Sequence, residues 1–137
     1  MAILLNAQLL EKTFAARTLF KEISFTIEDR DRIGLVGPNG TGKSTLLKII
    51  ASLETPDKGQ LAIQRGLRVG YLAQEPKLQA EATVFETILE IAEKIDEHGG
   101  MAKAYEFVAK LGLSDRSDDK VVSLSGGWKK RVALACK

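Results

Sequence analysis

Hydrophobic positions along this chain recur with two different spacings, and the change from one to the other marks its elements. Residues 2–10 and 19–28 are short apolar stretches separated by residues 11–18. In the second, Ile23, Phe25 and Ile27 alternate with Ser24, Thr26 and Glu28, the period of a strand with one buried face. The two stretches are expected to pair. Beyond the charged turn Glu28-Asp29-Arg30-Asp31, the run Arg32-Ile33-Gly34-Leu35-Val36 is apolar without alternation, which predicts a strand buried on both faces. From Ser44 the spacing changes. Leu46, Ile49, Ile50 and Leu53 line one face of a helix, and Pro56 and Gly59 mark its exit. Residues 60–63 and 67–72 predict two further short strands around a turn at Arg65-Gly66.

Helices follow. Thr83 precedes Glu86 at the spacing of a capping box, and Val84, Ile88, Ile91 and Ile95 keep one face apolar to about His98. Gly99-Gly100 breaks that helix. Met101, Ala104, Tyr105 and Val108 make a second apolar stripe that stops at Gly112, and residues 114–120 form a polar, acid-rich loop. A last helix is expected from near Ser125. The sequence holds no internal repeat and no low-complexity segment.

Composition narrows the class. The 137 residues are 45% hydrophobic and 28% charged, which fits one globular domain and excludes a disordered or collagen-like chain. A chain of this length should hide roughly two thirds of its unfolded surface. The single cysteine, Cys136, builds no disulfide framework, points to a reducing compartment and reads as a small apolar filler. With 20 Lys and Arg against 18 Asp and Glu, the net charge of +2 is too mild for a dedicated nucleic-acid binder. No run of about twenty apolar residues is found and the N-terminus lacks a signal-peptide pattern, so a soluble, cytoplasmic chain is expected.

The chemistry concentrates in Gly37-Pro38-Asn39-Gly40-Thr41-Gly42-Lys43-Ser44, which satisfies the phosphate-loop pattern G-x-x-x-x-G-K-[ST] between a predicted strand and an amphipathic helix. Glycines let the backbone wrap a phosphate with its N–H groups inward, and the following helix adds its positive end. Lys43 is the candidate bridge to the β- and γ-phosphate oxygens, and the Ser44 hydroxyl is the candidate Mg²⁺ ligand. A glycine-rich turn that spells the pattern by chance is the competing reading, and the agreement of strand, loop and helix weighs against it. Further on, Leu124-Ser125-Gly126-Gly127 directly precedes a predicted helix and offers a second anion-binding start. Alone, Ser-Gly-Gly would read as a flexible turn.

With both motifs in this order, the sequence resembles the ATP-binding-cassette (ABC) family. Nucleotide domains of that family carry, in order, an adenine-stacking aromatic, the phosphate loop (Walker A), a glutamine loop and an LSGG signature. The resemblance covers the whole chain. It places Phe14, in Glu11-Lys12-Thr13-Phe14, at the stacking position, residues 37–45 ending in Thr45 at the phosphate loop, and Gln74, in Tyr71-Leu72-Ala73-Gln74-Glu75-Pro76, at the glutamine loop. The signature is Leu124, Ser125, Gly126 and Gly127. The resemblance implies ATP and Mg²⁺ as cofactors, with Ser44 and Gln74 on the metal. It also implies an α/β fold: an ABC-type P-loop NTPase core with an N-terminal antiparallel β-sheet and a small helical subdomain, incomplete at the C-terminus. Residues 1–76 would be the β-subdomain and phosphate-loop core, 77–123 the helical subdomain, and 124–137 the signature and its helix.

Within the family the chain is most similar to the first cassette of ABC-F proteins, soluble tandem cassettes that act on ribosomes. Arg32-Ile33-Gly34-Leu35-Val36-Gly37-Pro38-Asn39-Gly40, Val69-Gly70-Tyr71-Leu72-Ala73-Gln74-Glu75 and the stretch from Leu124 through Trp128-Lys129-Lys130-Arg131 to Ala135 carry that similarity. Trp128 replaces the glutamine usual in transporters. The stretch between Gln74 and Leu124 is compact, without the long helical insertion often found in ABC-F proteins.

In the family a strand ending in Asp-Glu (Walker B), a D-loop and a switch histidine follow the signature helix. Here no Asp or Glu follows Gly127, and the one histidine, His98, precedes the signature and reads as a solvated helix-end residue. No catalytic residue is therefore named, and the isolated chain is expected to lack ATPase activity, because phosphoryl transfer needs a carboxylate near Mg²⁺ and a group that orients water. Without the strand that normally pairs beside the phosphate-loop strand, a sheet edge and apolar surface are expected to be exposed.

The family also uses its signature in trans, so Ser125, Gly126 and Gly127 would touch a nucleotide bound to a second cassette. The leading expectation is Mg·ATP binding in an ABC-F-type ATPase with the ribosome as partner. One alternative is the ATPase subunit of a membrane transporter, docked on a membrane subunit, and another is a truncated module that binds without hydrolysing. Lys129, Lys130 and Arg131 read either as an RNA-phosphate contact or as a solvated helical turn, and Trp128 either as an interface residue or as cover for its own helix.

Overall fold

The computed structural model describes residues 1–136. They fall into two compact units, Met1–Tyr71 and Leu72–Lys137.

The first unit is built on strands β1 (Ile3–Phe14), β2 (Arg17–Glu28) and β3 (Lys58–Ile63), with helix α1 (Lys43–Ile50) between the last two in sequence. The sheet order is β2-β1-β3 and both pairings are antiparallel. Leu5, Ala7 and Leu10 of the central strand are buried with Phe20, Leu46 and Ile49. Alternation would put Leu9 on the core face. Instead Leu9 takes a left-handed φ of 49° at a break in register between Ala7 and Leu10, which returns Leu10 to the interior and turns Leu9 outward. Each buried leucine or isoleucine contributes about 1.5–3 kcal/mol.

Strand pairing runs further than the apolar pattern reaches. Residues 11–18, expected to separate two strands, continue both, and only Ala15 and Ala16 form the turn. Ion pairs explain it. Lys12 Nζ bonds the Glu54 carboxylate at 3.0 Å, the Thr55 carbonyl oxygen at 2.8 Å and Asp57 at 3.3 Å, while the Thr13 N–H donates to Asp57 at 2.7 Å. Glu11 pairs with Lys58 on the neighbouring strand. Polar side chains thus hold the strand ends that apolar burial does not.

Two predicted strands are corrected. Residues 32–36 and 67–72 form no strand, and Ile33, Leu35 and Val36 are exposed, Val36 to 94%. A strand exists through its ladder, and the described residues supply no neighbour for either segment. The apolar run records a demand for burial but not what meets it. Helix α1 is also shorter than its apolar face implied, because Ser52 turns left-handed at φ 58° and Leu53 lies outside it, exposed.

The second unit packs helices α2 (Val84–Ile95), α3 (Gly100–Lys110) and α4 (Gly126–Ala135), with single helical turns at Ser114–Arg116 and Val121–Ser123. The capping box forms: the Glu86 N–H donates to Thr83 Oγ1 at 3.1 Å, and the Thr83 N–H donates to the Glu86 carboxylate at 2.8 Å. The segment before α4 straps that end, with N–H groups of Val84, Phe85 and Val121 bonding the carbonyl oxygens of Asp119, Ser117 and Ala82. Val84, Ile88 and Ala92 form the buried face of α2. Ile91 is half-buried and Ile95 exposed, so the inward face follows steps of four and drifts off the predicted stripe. Ala104 and Val108 are buried in α3, whereas Met101 and Tyr105 are exposed. Gly100 opens α3, where a Cβ would stand 2.8 Å from Glu93 Cα, and exposed His98 sits in the turn before it. Among the described residues no helix is long and apolar enough to cross a membrane.

Candidate functional site

The phosphate-loop motif occupies the bend between the irregular segment 32–36 and α1. Its geometry follows from its glycines. Gly40 and Gly42 take φ of +80° and +91°, left-handed values that L side chains rarely adopt. A Cβ on Gly42 would also lie 2.9 Å from Leu19 Cβ and 3.0 Å from the Phe20 ring, so the loop can press onto β2 only with glycine there. A Cβ on Gly37 would meet Thr41 Oγ1 at 3.4 Å and Lys43 Cδ at 4.0 Å, ordinary contact distances, so the structural demand for glycine in this loop lies at Gly40 and Gly42.

Hydrogen bonds close this loop on itself. Thr41 Oγ1 donates to the Pro38 carbonyl oxygen at 2.8 Å, and Lys43 Nζ donates to the carbonyl oxygens of Gly37 and Pro38, the latter at 2.7 Å. Gly42 is the N-cap of α1, with no side chain to cap the first N–H groups and no acidic residue in the first turn. Those donors, the positive end of the helix and the Lys43 ammonium converge without a competing carboxylate, which favours an anion. A cavity of about 170 Å³ opens here, lined by Thr41, Gly42 and Lys43 of the loop together with Phe20, Ile23, Leu35, Val36 and Leu46. Pro38, Asn39, Thr41 and Ser44 are exposed, and Thr45 is half-buried. A polyphosphate fits this donor set. Among the described residues no cluster of His, Cys, Asp or Glu is placed to hold a metal, so a Mg²⁺ here would take its ligands from phosphate oxygens and the Ser44 hydroxyl.

Phe14 lies at the end of β1, 74% exposed, directly opposite Arg17 on β2. The Arg17 side chain reaches the phosphate loop: its Nη1 lies 3.9 Å from where a Cβ of Gly40 would be. Arg17 belongs to none of the sequence motifs. The available signal is a cation three residues beyond the candidate aromatic, in the stretch that separates the two apolar runs.

Gln74 and the signature belong to the second unit. Gln74 lies exposed in a bend. Leu124 is buried, Ser125 is the N-cap of α4 with an extended backbone, and the Ser125 carbonyl oxygen accepts the Lys129 N–H at 2.9 Å. Ser125 makes no side-chain cap bond, and Gly126 and Gly127 are exposed at the helix start with no atom within 4 Å of a Cβ on either. Trp128 packs on the helical core, with the guanidinium groups of Arg116 and Arg131 at 4.9 Å and 4.7 Å from its ring centre. Of its two readings, cover for its own helix is the one seen within this unit. Cys136 ends α4 with its Sγ 4.0 Å from the Thr87 carbonyl oxygen.

Comparison with known proteins shows the family and the fold. The chain matches the sequence family described as ABC transporter over residues 20–137. It is 38% identical to an uncharacterized ABC transporter ATP-binding protein, YfmR, of Bacillus subtilis, over 96% of this chain and 27% of that protein. It is 35% identical to the zinc import ATP-binding protein ZnuC of Photobacterium profundum, over 98% of this chain and 51% of that protein. It is also 38% identical to ABC transporter F family member 5 of Arabidopsis thaliana, over 96% of this chain and 19% of that protein. The chain thus spans about half or less of the length of these relatives. In fold it matches an inward-facing metal-chelate type ABC transporter with a TM-score of 0.82, at 22% identity, over 99% of this chain and 55% of the other.

Proposed function

The chain belongs to the ABC transporter family as a nucleotide-binding domain with an α/β, P-loop NTPase-like fold, and from that premise we propose that it binds Mg·ATP at residues 37–45 to drive a membrane transport system. The observation that carries the binding site is the loop itself: two left-handed glycines, one of them also pressed against Leu19 and Phe20, with a lysine and an uncapped helix start beside them. In this proposal Phe14 stacks the adenine, the backbone N–H groups of residues 39–45 surround the phosphates, Lys43 exchanges its carbonyl partners for phosphate oxygens, and the Ser44 hydroxyl holds Mg²⁺. When bound, Mg²⁺ supplies charge neutralisation between phosphates. Residues 1–76, 77–123 and 124–137 serve as phosphate-loop core, helical subdomain and signature segment. No hydrolytic carboxylate is assigned among these residues.

Support for the transport reading comes from relatives such as the zinc import protein, of which this chain spans half. In that reading the partners are a second cassette, whose nucleotide meets Leu124, Ser125, Gly126 and Gly127, and a membrane subunit. A second reading is an ABC-F-type cassette acting at the ribosome, favoured by the 38% identity to an F family member. Co-purification from cells separates them, a membrane protein supporting the first and ribosomes the second.

The binding proposal is tested by equilibrium titration with Mg·ATP. We expect saturable binding by the chain and at least about a hundredfold loss in Lys43→Ala, from removal of a charge-assisted contact to the phosphates. Equal binding by the two would sink the assignment.

A further inference from the structure

We infer that Arg17 is a nucleotide-binding residue, a second cation at the phosphate loop that contacts phosphate oxygens together with Lys43. This rests on the proposal that residues 37–45 bind a nucleotide, and it adds a contact that the sequence motifs do not contain. Position comes first. Arg17 Nη1 lies 3.9 Å from the Cβ position of Gly40, at the left-handed turn of the loop. Its backbone is fixed by the hairpin, where Phe14 pairs with Arg17 and Thr13 with Thr18, around the two-residue turn at Ala15 and Ala16.

Directly opposed residues of an antiparallel pair share a face of the sheet with Cβ atoms about 5 Å apart. The Phe14 ring and the Arg17 guanidinium therefore project from one face of one rigid tip. A nucleotide with its base on the ring would bring its phosphates toward the loop within reach of the arginine.

Charge is the second observation. Lys12, Lys58, Lys94, Lys103, Lys110, Arg116 and Lys120 each pair with a carboxylate, whereas Arg17, like Lys21, Arg30, Arg32 and Lys48, does not among the described residues, and of these five it is the one that lies beside Gly40 of the loop. Among the described residues the Arg17 side chain has neither an ion pair nor a hydrogen bond, and the carbonyl oxygens of Gly37 and Pro38 in the loop beside it already accept from Lys43 and Thr41. Two cations, Arg17 and Lys43, at one loop with no acid in the first turn of α1 concentrate positive charge that a bound anion would neutralise. A guanidinium also offers paired donors matched to two phosphate oxygens, which an ammonium lacks.

The test is equilibrium titration of the whole chain with the Mg²⁺ salts of ATP and of inorganic tripolyphosphate, for wild type, Arg17→Ala, Arg17→Lys and Lys43→Ala. Arg17→Ala should weaken both ligands about tenfold, one charge-assisted contact, and flatten the salt dependence, with Arg17→Lys intermediate. If Arg17→Ala binds both ligands within a factor of two of wild type while Lys43→Ala loses them, Arg17 is no ligand and the inference fails alone. Loss for ATP with none for tripolyphosphate would move Arg17 to the nucleoside and overturn the phosphate assignment. Unchanged binding in Lys43→Ala would instead strike the underlying site. Should Arg17→Ala fail to fold by circular dichroism, Arg17→Gln, which keeps the stem and removes the charge, takes its place with the same expected loss.

Discussion

Gly126 and Gly127 have no internal cause. Neither takes a positive φ and neither is crowded, yet each sits in the first turn of α4, where glycine is a poor helix former. Gly42 is the opposite case, with φ +91° and a Cβ position pressed against Leu19 and Phe20. The contrast makes a prediction. Gly127→Ala should stabilise the chain by roughly 0.5 kcal/mol in urea unfolding and leave its own Mg·ATP affinity unchanged, whereas Gly42→Ala should destabilise by about 2 kcal/mol and weaken ATP. Destabilisation by Gly127→Ala would show a packing role within this chain. Its absence would agree with a glycine kept small for a molecule that approaches from outside, the role proposed for the signature.

Among the elements, α2 shows how a local pattern is honoured. Its capping box satisfies two N–H groups of the first turn reciprocally and fixes where the helix begins. Thr83→Ala should cost about 1 kcal/mol, read as a lower urea midpoint with an unchanged slope, and an unchanged midpoint would mean that the strap from Ser117 to Val121 alone holds that end. Such local devices were legible in the sequence. So was the phosphate loop, since Gly40, Gly42 and Lys43 act within a few residues of one another. Illegible were features set by residues distant in sequence. Residues 11–18 belong to strands because Lys12 finds Glu54 and Asp57, and no pattern near Lys12 announces acids more than forty positions away. The strand predicted at 32–36 failed for the same reason in reverse: its apolar residues are real, but a ladder needs a second strand, which the described residues do not supply. Arg17 was missed because its meaning lies at Gly40, across the hairpin.

At the scale of the whole chain, the polar contacts that hold both units depend on ionised carboxylates. Bonding to Lys12 holds Glu54 below the usual carboxylate range, and the Thr13 N–H followed by Lys12 does the same for Asp57. In the other unit Glu86 is lowered by the Thr83 N–H, Asp96 by the Gly99 N–H and then Lys103, and Glu106 by Lys110. A lowered native pKa stabilises the fold above the unfolded value, near about pH 4, and that stability is lost as pH falls through the native value. Lys12 runs the other way. The Glu54 bond raises it, so its contribution is complete below about pH 10 and disappears as pH rises through its native value. Stability should therefore be level near neutrality, fall below about pH 4 and fall again in strong alkali. Lys12→Met separates the local share: it removes the partner of Glu54 and Asp57, lets the Glu54 pKa return toward normal, and should flatten both limbs for the sheet. The measurement is amide exchange along β1, from Ile3 to Phe14, between pH 3 and 7. Protection that falls as steeply in Lys12→Met as in wild type would show that this ion cluster does not couple the hairpin end to the turn at 54–57, and that Phe14 and Arg17 owe their placement to the β-ladder alone.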